Sequence, residues 1–483
     1  MINKSILFKL ITASVLFVMV IQCKNNKVSE TESDAEGINT SLVEVHLTHA
    51  DRSKLLEKSV KEVSASDKLF ENQISIDPEK TFQTMQGFGF ALTGGSAEHF
   101  KAMEPGSRQE LLEELFGDGP DQLGLSYIRI SIGASDLDAQ PFSYNDLQEG
   151  ETDESQLKFS IEKDRSHLIP ILKQILQINP SLNIMASPWS PPTWMKTNGA
   201  TIGGSLKTTC YDAYALYFVK YIQAMEAEGI AITSVTIQNE PLHPGNNPSM
   251  YMTSKEQADF IKKSLGPLFK KHHINTKIVV YDHNADKPEY PIEVLSDTSA
   301  YPYIQGSAFH LYGGDINNIA RVHDAFPEKD LYLTEQWYSS EGKFEEDLIW
   351  HSREIIIGSI RNWASAVIEW NISSNPELEP HSPGGCTMCL GAITLDGDQV
   401  TRNAGYYVMA QASSFVPRGS VRIESTLSKE LPNVAFLRPD QKIVSLILNN
   451  TGEKVAFTFT QNNFNISDTL ASGAVATYVW NKK

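Results

Sequence analysis

The central part of the chain alternates short apolar runs with longer amphipathic stretches, and this alternation restricts the fold more than any other feature. Eight apolar runs predict buried strands, at residues 87–92, 127–132, 183–187, 235–238, 277–281, 306–310, 331–334 and 366–369. Helical periodicity lies between most of them, for example at 110–116, 162–177, 211–228, 254–271 and 345–361. Eight strands that are each followed by a crossover favour a closed parallel (β/α)8 barrel, a TIM barrel, over an open doubly wound sheet.

The two flanks of this region have a different pattern. Short alternating runs separated by Asn, Gly and Asp occur at 43–47 and 73–76, and again at 420–424, 434–437, 443–449, 455–459 and 474–480. They predict an antiparallel β-sandwich beside the barrel, formed by both ends of the chain. The predicted boundaries are a signal peptide at 1–23, a flexible tether at 24–41, sandwich strands within 42–83, the barrel at 84–411 and the remaining sandwich at 412–483.

The first residues carry an export signal. A short basic head with Lys4 and Lys9 precedes an apolar run at 10–21, which is too short to span a bilayer comfortably. The run ends at Cys23 and resembles a bacterial lipoprotein signal, in which this cysteine is lipidated, although Gln22 departs from the usual small residue. The alternative is a signal peptide that is cut elsewhere. We therefore expect an exported protein, anchored in a bacterial envelope through its N-terminal lipid, with the outer membrane favoured and the side of the membrane left open.

The charge balance restricts the possible ligands. Lys and Arg total 41 against 59 Asp and Glu, which gives a formal net charge of −18. Nucleic-acid-binding proteins concentrate Lys and Arg, so this charge argues against DNA or RNA as a partner. A neutral ligand fits an acidic surface better than an anionic one. We expect a monomer.

Three cysteines remain after Cys23, namely Cys210, Cys386 and Cys389. The pair at 386 and 389 could be half of a zinc site, but a zinc site needs four ligands and no second Cys or His pair lies nearby in the sequence. A local disulfide or two buried thiols is the favoured interpretation. No metal or cofactor is predicted.

Two carboxylates stand at the ends of predicted barrel strands, where the active sites of such barrels are built. Glu240 follows the fourth strand and Glu335 ends the seventh, so that the two side chains should face each other across the barrel mouth. Either residue taken singly could be a solvated loop residue or an ion-pair partner. A pair in this arrangement can serve as acid/base and nucleophile in glycoside hydrolysis with retention of configuration.

Aromatic residues recur at the same end of the predicted barrel. Trp189 follows the third strand, Tyr312 follows His310 at the end of the sixth, and Trp337 and Trp370 lie after the seventh and at the eighth. Sugar rings present apolar faces with a rim of hydroxyl groups, and their binding sites combine aromatic surfaces with a few directed polar groups. A single Trp would more often be part of the core, whereas aromatic residues at four strand ends indicate a sugar site.

Three motifs resemble glycoside hydrolase family 30, whose best-known members are the acid β-glucosylceramidases. They are QGFGFALTGGSA at 86–97, MASPWSPPTWMKTNG at 185–199 and TIQNEP at 236–241. The resemblance extends from about residue 43 to the C-terminus and includes the flanking β domain. It implies that Glu240 is the acid/base and Glu335 the nucleophile. It further implies that the following residues surround the sugar or the nucleophile: Arg129, Asp136, Trp189, Asn239, Tyr312 and Trp370.

The stretch PHSPGGCTMCLGA at 380–392 is more similar to the β-1,6-glucanase branch of the family than to the glucosylceramidases. The leading substrate is therefore a neutral β-1,6-glucan or gluco-oligosaccharide. The alternatives are a β-glucosidase or glucosylceramidase that acts on small β-glucosides and, in a different class, a lipoprotein that binds carbohydrate without catalysis. Glu369, a third carboxylate at a strand end, is interpreted as a supporting or sugar-binding residue because it precedes Trp370.

Overall fold

A computed structural model of the protein describes residues 41–63 and 69–483. The predicted signal peptide, Cys23 and nearly all of the predicted tether lie outside the described residues. Within the described part of the chain, no helix is both long and apolar enough to cross a membrane.

The strands, in chain order, belong to one barrel, one large β domain and two small sheets. The β domain is antiparallel as predicted except for one pair of strands, which run parallel. The first twelve are β1 (Ser41–Thr48), β2 (Glu57–Val63), β3 (Asn72–Thr84), β4 (Gly87–Ala91), β5 (Tyr127–Ser131), β6 (Asn183–Ser187), β7 (Ser234–Thr236), β8 (Lys277–Ala285), β9 (Ile304–Gly314), β10 (Asp330–Glu335), β11 (Tyr338–Ser339) and β12 (Ala364–Asn371). The remaining ten are β13 (Ser373–Ser374), β14 (Cys389–Leu390), β15 (Ile393–Asp396), β16 (Gln399–Arg402), β17 (Val421–Ser425), β18 (Asn433–Leu437), β19 (Lys442–Leu448), β20 (Val455–Gln461), β21 (Phe464–Leu470) and β22 (Val475–Asn481).

Eight parallel strands close into a barrel in the order β10-β12-β4-β5-β6-β7-β8-β9. The predicted (β/α)8 fold is therefore confirmed, with every predicted strand run in its expected place. Side chains fill the interior and form a packed layer, so the barrel is not a pore. This layer consists of Tyr127, Met185, Val279, Ala308, Tyr332, Ala366 and Ile368. A packed interior admits no ligand, and barrels of this kind build their active sites at the C-terminal mouth.

Helices surround the barrel. They are α1 (Gly94–Ala102), α2 (Pro105–Phe116), α3 (Leu168–Ile178), α4 (Tyr211–Ala227), α5 (Ser254–Phe260), α6 (Gly266–Lys271), α7 (Glu289–Ser296), α8 (Ala320–Ala325), α9 (Phe344–Trp350), α10 (Ser359–Arg361) and α11 (Ala404–Ser413). Wider π-helical turns at Ile261–Leu265 and His351–Gly358 join α5 to α6 and α9 to α10. The helix predicted at 162–177 is shorter, because a 3-10 turn at Glu162–Arg165 is separated from α3 by the non-helical backbone of His167.

Nine strands from both chain ends form the flanking β domain, in the order β2-β1-β22-β19-β18-β17-β3-β20-β21. The prediction that both ends build one β domain is confirmed. The prediction omitted two strands of this domain, β2 and β21. The exposed edge strand β2 has almost no buried side chain, and in β21 Asp468 interrupts the apolar alternation. The last barrel helix, α11, continues to Ser413, past the boundary predicted at residue 411.

Two small sheets lie in the loops at the C-terminal mouth of the barrel. Strand β11 pairs with β14, and β13 pairs with β15, which pairs with β16. These pairings fix the loops that follow the seventh and eighth barrel strands, β10 and β12, and both loops border the site described next.

Candidate active site

The C-terminal ends of the barrel strands surround a cavity of about 210 Å³. Its lining consists of Asp136, Trp189, Glu240, Asn246, Tyr312, Glu335, Trp337, Trp370, Cys386 and Cys389. All the predicted site residues within the described part of the chain are brought together here. Seven of them line the cavity, whereas Arg129, Asn239 and His310 are buried next to its carboxylates. The volume is below the roughly 300–1,000 Å³ of sites for drug-sized ligands, as expected for a single sugar ring.

Glu240 and Glu335 face each other in this cavity. One carboxylate oxygen of each lies within 4.8 Å of the other, and both residues are less than a tenth exposed. Retaining glycosidases place their two carboxyl groups roughly 5–5.5 Å apart, whereas inverting enzymes leave roughly 6.5–9.5 Å for a water molecule. The spacing therefore suits direct attack by a carboxylate.

Glu335 is the last residue of β10 and is held by two donors. The guanidinium of Arg129 donates from Nη1 to its Oε2 over 2.6 Å, and the Tyr312 hydroxyl donates to its Oε1 over 2.9 Å. Hydrogen bonds from a charged donor to a carboxylate are among the strongest in proteins. Both oxygens of Glu335 are thus fixed in place, which orients the carboxylate.

Glu240 lies in the loop after β7, and its backbone has a φ of 46°. Left-handed backbone at a non-glycine residue costs about 1–3 kcal/mol and persists where the surroundings impose it. Here the Glu240 N–H donates to the backbone oxygen of Asp282 over 3.0 Å, and Asn246 donates to its Oε2 over 3.3 Å. The strained backbone aims the side chain into the cavity.

Asp282, on β8, is the centre of the charge network beneath the site, and the sequence analysis missed it. Its carboxylate is fully buried and accepts from Arg129 over 2.7 Å and from two hydroxyls, Thr236 and Thr334, each over 2.7 Å. Burial opposes ionisation, but the charge of Arg129 and a hydrogen bond with His310 hold the pKa of Asp282 well below its ordinary value. The sequence nevertheless indicates Asp282 as a site residue, because this polar residue directly follows the fifth apolar run.

His310 connects this network to the catalytic pair. Its Nε2 lies 3.1 Å from Asp282 Oδ1, and its Nδ1 lies 3.1 Å from Glu240 Oε1 and 3.6 Å from Glu335 Oε1. Burial lowers the pKa of His310, but the charge of Glu335 and the hydrogen bonds with Asp282 and Glu240 outweigh it and raise the pKa to about 9. His310 therefore carries its proton at neutral pH.

The two carboxyl groups of the pair are shifted in opposite directions. Burial raises the pKa of Glu335, against the charges of His310 and Arg129. Burial acts in the same way on Glu240, but the hydrogen bond and charge of His310 outweigh it and lower the pKa of Glu240. In the free site the proton beside Glu240 consequently lies on His310. Transfer across the 3.1 Å contact would move it to the carboxyl.

Trp189, Trp370 and Asp136 form a further part of the cavity wall. The rings of Trp189 and Trp370 are 5.4 Å apart, and the guanidinium of Arg129 lies 4.8 Å from the first ring. Burial and the nearby charge of Glu335 raise the pKa of Asp136 to about 7. This wall combines aromatic surface with one hydrogen-bonding carboxylate.

Cys386 and Cys389 form a disulfide, so the first of the two favoured interpretations is correct and the pair is not half of a zinc site. Cys210 is free and buried elsewhere. The sequence analysis did not place Cys386, Cys389 or Asn246 in the site.

Glu369 does not line the cavity. It is fully buried, accepts from the Tyr338 hydroxyl over 2.8 Å and contacts His351 Nδ1 over 2.6 Å. Successive strand residues point to opposite faces, so Trp370 faces the cavity while Glu369 faces the helical layer. It is a supporting residue, and the sugar-binding alternative for Glu369 is wrong.

Glu240, His310 and Glu335 each offer one ligand atom within 4.8 Å of the others, an arrangement that could hold a metal ion. Hydrogen bonds to Arg129, Tyr312 and Asp282 already occupy these side chains. A cation bound here would have to compete with the positive charges of Arg129 and His310.

Residues 85–416 match the TIM-barrel domain of glycosyl hydrolase family 30, and residues 419–478 match the β-sandwich domain of the same family. The chain belongs to glycoside hydrolase family 30. It is accordingly a glycoside hydrolase, as the sequence motifs predict.

Curated family members similar to this chain fall into two groups. An endo-1,6-β-D-glucanase of Trichoderma harzianum is 33% identical over 421 residues, which cover 82% of this chain and 84% of the relative. The lysosomal acid glucosylceramidase of Mus musculus is 29% identical over 462 residues, covering 89% of this chain and 88% of the relative. Among solved structures, the endo-β1,6-glucanase BT3312 superimposes with a TM-score of 0.85 at 34% identity, over 91% of this chain and all of that one.

Proposed function

We propose that this family 30 enzyme hydrolyses β-1,6-linked glucan with retention of configuration, using Glu335 as nucleophile and Glu240 as acid/base. The observation that carries the proposal is the pair of buried carboxylates with oxygens within 4.8 Å of each other at the mouth of the barrel. Such a pair supports two successive displacements through a covalent glycosyl-enzyme.

The surroundings of Glu335 fit the role of nucleophile. A nucleophile must be ionised when it attacks the anomeric carbon, and Arg129 supplies a permanent positive charge at 2.6 Å. Burial and the charge of Glu335 raise the pKa of the Tyr312 hydroxyl, so it remains a hydrogen-bond donor. Together these groups oppose the rise in the pKa of Glu335 that burial causes, and they fix the direction of its lone pairs.

The surroundings of Glu240 fit the role of acid/base. In the first step Glu240 must donate a proton to the oxygen of the leaving sugar, and His310 holds a proton at 3.1 Å. Sugar binding displaces water from the cavity, which disfavours a separated imidazolium and carboxylate and favours the neutral pair with the proton on Glu240. After the leaving group departs, Glu240 accepts a proton from the attacking water.

The remaining polar groups would orient the sugar. The Asn239 oxygen accepts from Arg129 over 2.7 Å, which leaves its amide N–H groups to donate to the sugar 2-hydroxyl. Asp136 would accept from two further hydroxyls, with Trp189 and Trp370 packed against the apolar face of the ring.

The preference for β-1,6 linkage is supported by relatives whose names specify this activity, which are 33–35% identical to this chain. Small β-glucosides, including glucosylceramide, are the second candidate, because glucosylceramidases match a similar share of the chain at 26–29% identity. The net charge of −18 favours a neutral glycan in either case.

A substrate panel tests the proposal. Purified protein is incubated separately with β-1,6-glucan, gentiobiose and glucosylceramide, and released sugars are quantified beside Glu335→Gln as the control. We expect wild type to release glucose or oligosaccharides from the first two substrates, and the variant to release none. Hydrolysis of glucosylceramide without release from either β-1,6-linked substrate would overturn the linkage preference.

We further propose that Cys23 is the lipidated first residue of the mature protein and anchors the enzyme in the bacterial envelope. The support is the basic head and the apolar run that precede this residue in the sequence. Mass spectrometry of the mature N-terminus provides the test. An unmodified N-terminus downstream of Cys23 would overturn the proposal.

A further inference from the structure

The Cys386–Cys389 disulfide forms part of the cavity wall. Cys389 is 6% exposed and packs in one apolar cluster with Trp189 and Trp370, while Cys386 is half-buried against the same cluster. The bridge closes a loop of four residues, whose tip, Thr387 and Met388, is exposed. A disulfide that lies in the same apolar cluster as both tryptophans and lines the cavity is placed to affect ligand binding.

One half of this loop holds Asp136. The N–H of Ser382 donates to the Asp136 backbone oxygen over 2.9 Å, and Cys386 lines the same cavity as the Asp136 side chain. At Gly385 an added Cβ would come within 2.4 Å of the same backbone oxygen, so the two segments are in close contact. The position of the Asp136 carboxylate therefore depends on the conformation of residues 382–386.

The other half of the loop is attached to the opposite wall. Cys389 pairs with Ser339 in the β11–β14 ladder, two residues beyond Trp337, and its backbone oxygen accepts from Asn371 over 3.2 Å. The Ser340 N–H donates to the Met388 oxygen over 2.9 Å. The disulfide consequently joins a segment fixed to Asp136 to a segment fixed beside Trp337.

We propose that the Cys386–Cys389 disulfide is a positioning element of the sugar site, which keeps residues 382–386 packed against Asp136 and makes sugar affinity depend on the oxidised bridge. This inference rests on the proposed function, in which Asp136 accepts hydrogen bonds from the sugar. Without the bridge, Ser382 and Pro383 keep their hydrogen bonds with Asp136 and Asn247, but Cys386 loses its covalent attachment to the wall that holds Cys389. The end of the segment at Cys386, which packs beside Asp136, is then less firmly fixed, while the catalytic pair, held by Arg129, Tyr312 and His310, is unaffected.

Reduction of the bridge tests this inference directly. Dithiothreitol cleaves the S–S bond to two thiols, Cys386 and Cys389, and is itself oxidised to its cyclic disulfide. The exposed tip of the loop gives the reagent access. After thiol titration has shown two new thiols, KM and kcat are measured with gentiobiose, and the melting temperature is recorded on the same sample.

We expect the KM to rise about tenfold on reduction, because a displaced Asp136 carboxylate would lose about one hydrogen bond from the sugar to a charged group. We expect kcat to change less than about threefold and the melting temperature to change little. The double variant Cys386→Ser/Cys389→Ser should show the KM of the reduced enzyme and no response to dithiothreitol. Cys210→Ser, the matched control, should respond as wild type does.

Three outcomes would count against the inference. An unchanged KM after two thiols have been titrated would overturn it, because the bridge would then be irrelevant to binding. A proportional fall of kcat and melting temperature would also overturn it, because the bridge would then be a general stabiliser. If the oxidised wild-type enzyme hydrolysed no β-glucoside, the proposed function itself would fail, and this inference with it.

Discussion

At the scale of single residues, the site depends on how five buried charged groups balance one another. Arg129 contacts both Asp282 and Glu335, and His310 contacts Asp282 and Glu240. Two cationic side chains thus compensate three carboxylates in a space that excludes most water. Removal of Arg129 or His310 leaves buried carboxylates without a neighbouring positive charge, which costs more than the lost contact itself.

Truncation of the two catalytic candidates should have different consequences. Glu335→Ala removes the nucleophile, so we expect kcat on every β-glucoside to fall by at least about 10⁴-fold. Glu240→Ala removes the proton donor, so we expect it to impair gentiobiose strongly but to retain much more activity on an aryl β-glucoside, whose leaving group needs no proton. Rate measurements on both substrates check this. Near-wild-type activity of Glu335→Ala would contradict the assignment.

The titration of His310 predicts an alkaline limit to activity. Its pKa of about 9 is above the ordinary value of 6.5, so the proton shared with Glu240 is present below pH 9 and is lost as the pH rises through that value. Asp136, with a pKa of about 7, should ionise and bind the sugar better as the pH rises through 7. We expect kcat/KM to rise near pH 7 and to fall near pH 9. A profile that is flat between pH 6 and 10 would contradict this account.

The raised pKa of His310 also makes the stability of the folded protein depend on pH. Because the pKa of His310 is raised in the folded protein, its stabilising contribution is complete below about pH 6.5 and is lost as the pH rises through about 9. We expect the melting temperature of wild type to fall by several degrees over this interval, and that of His310→Gln to fall less. An equal fall in both proteins would assign the pH dependence to other groups.

Most of these residues could be predicted from sequence, and the omissions have identifiable causes. The C-terminal ends of barrel strands converge, so a polar or aromatic residue that follows an apolar run is predicted to lie in the site. Asp282 directly follows the fifth predicted run, but the direction of its side chain was not predictable, because Tyr281 and Asp282 have left-handed backbone and the pairing of β8 shifts register there. Cys386 and Cys389 were missed as site residues because a returning loop, and not a strand end, brings them to the cavity.

At the scale of elements, the first barrel strand depends on close backbone approach. A Cβ at Gly89 would lie 1.7 Å from the backbone oxygen of Tyr127 on the neighbouring strand β5. We expect Gly89→Ala to separate β4 from β5 and to destabilise the protein by more than about 3 kcal/mol. Urea denaturation or the yield of folded protein measures this effect.

Gly106 provides the matched control for that substitution. It lies in the first turn of α2, and a Cβ there would contact nothing within 4 Å. Because Ala has the higher helix propensity, Gly106→Ala should leave the stability unchanged or raise it by up to about 1 kcal/mol. Similar stability of both variants would show that the β4–β5 contact is not critical.

The elements that sequence patterns predicted well are those buried on a regular face. All eight barrel runs and the flanking β domain follow from apolar periodicity. An edge strand such as β2 has little apolar surface to mark it, since its burial depends on one neighbour, β1. The π-helical turns leave no pattern either, because they are fixed by packing against other elements.

At the scale of the whole molecule, the barrel and the β domain share buried polar contacts. Gln411 on α11 is fully buried, donates to the Thr48 hydroxyl over 3.0 Å and accepts from the Thr477 hydroxyl over 2.6 Å. These threonines lie on β1 and β22, near opposite ends of the chain. A barrel helix thus stabilises the strand pair that brings the two chain ends together.

Loss of this contact should affect stability but not catalysis. We expect Gln411→Ala to lower the free energy of unfolding by about 2–4 kcal/mol, because it removes the buried hydrogen bonds of this side chain with two threonines and opens a cavity. The value of kcat/KM should change less than about twofold. The control Gln109→Ala, on an exposed face of α2, should change neither the free energy of unfolding nor kcat/KM. If Gln411→Ala lowered kcat/KM while the stability stayed the same, the β domain would have a part in catalysis that this account does not give it.

The central claim, a retaining β-1,6-glucanase, is tested most directly by proton NMR of β-1,6-glucan during hydrolysis. We expect new reducing ends to appear first as the β-anomer and to equilibrate with the α-anomer only later. We expect Glu335→Gln to produce no new reducing ends. Reducing ends that appear first as the α-anomer would contradict retention. An absence of new reducing ends with the wild-type enzyme would contradict the substrate.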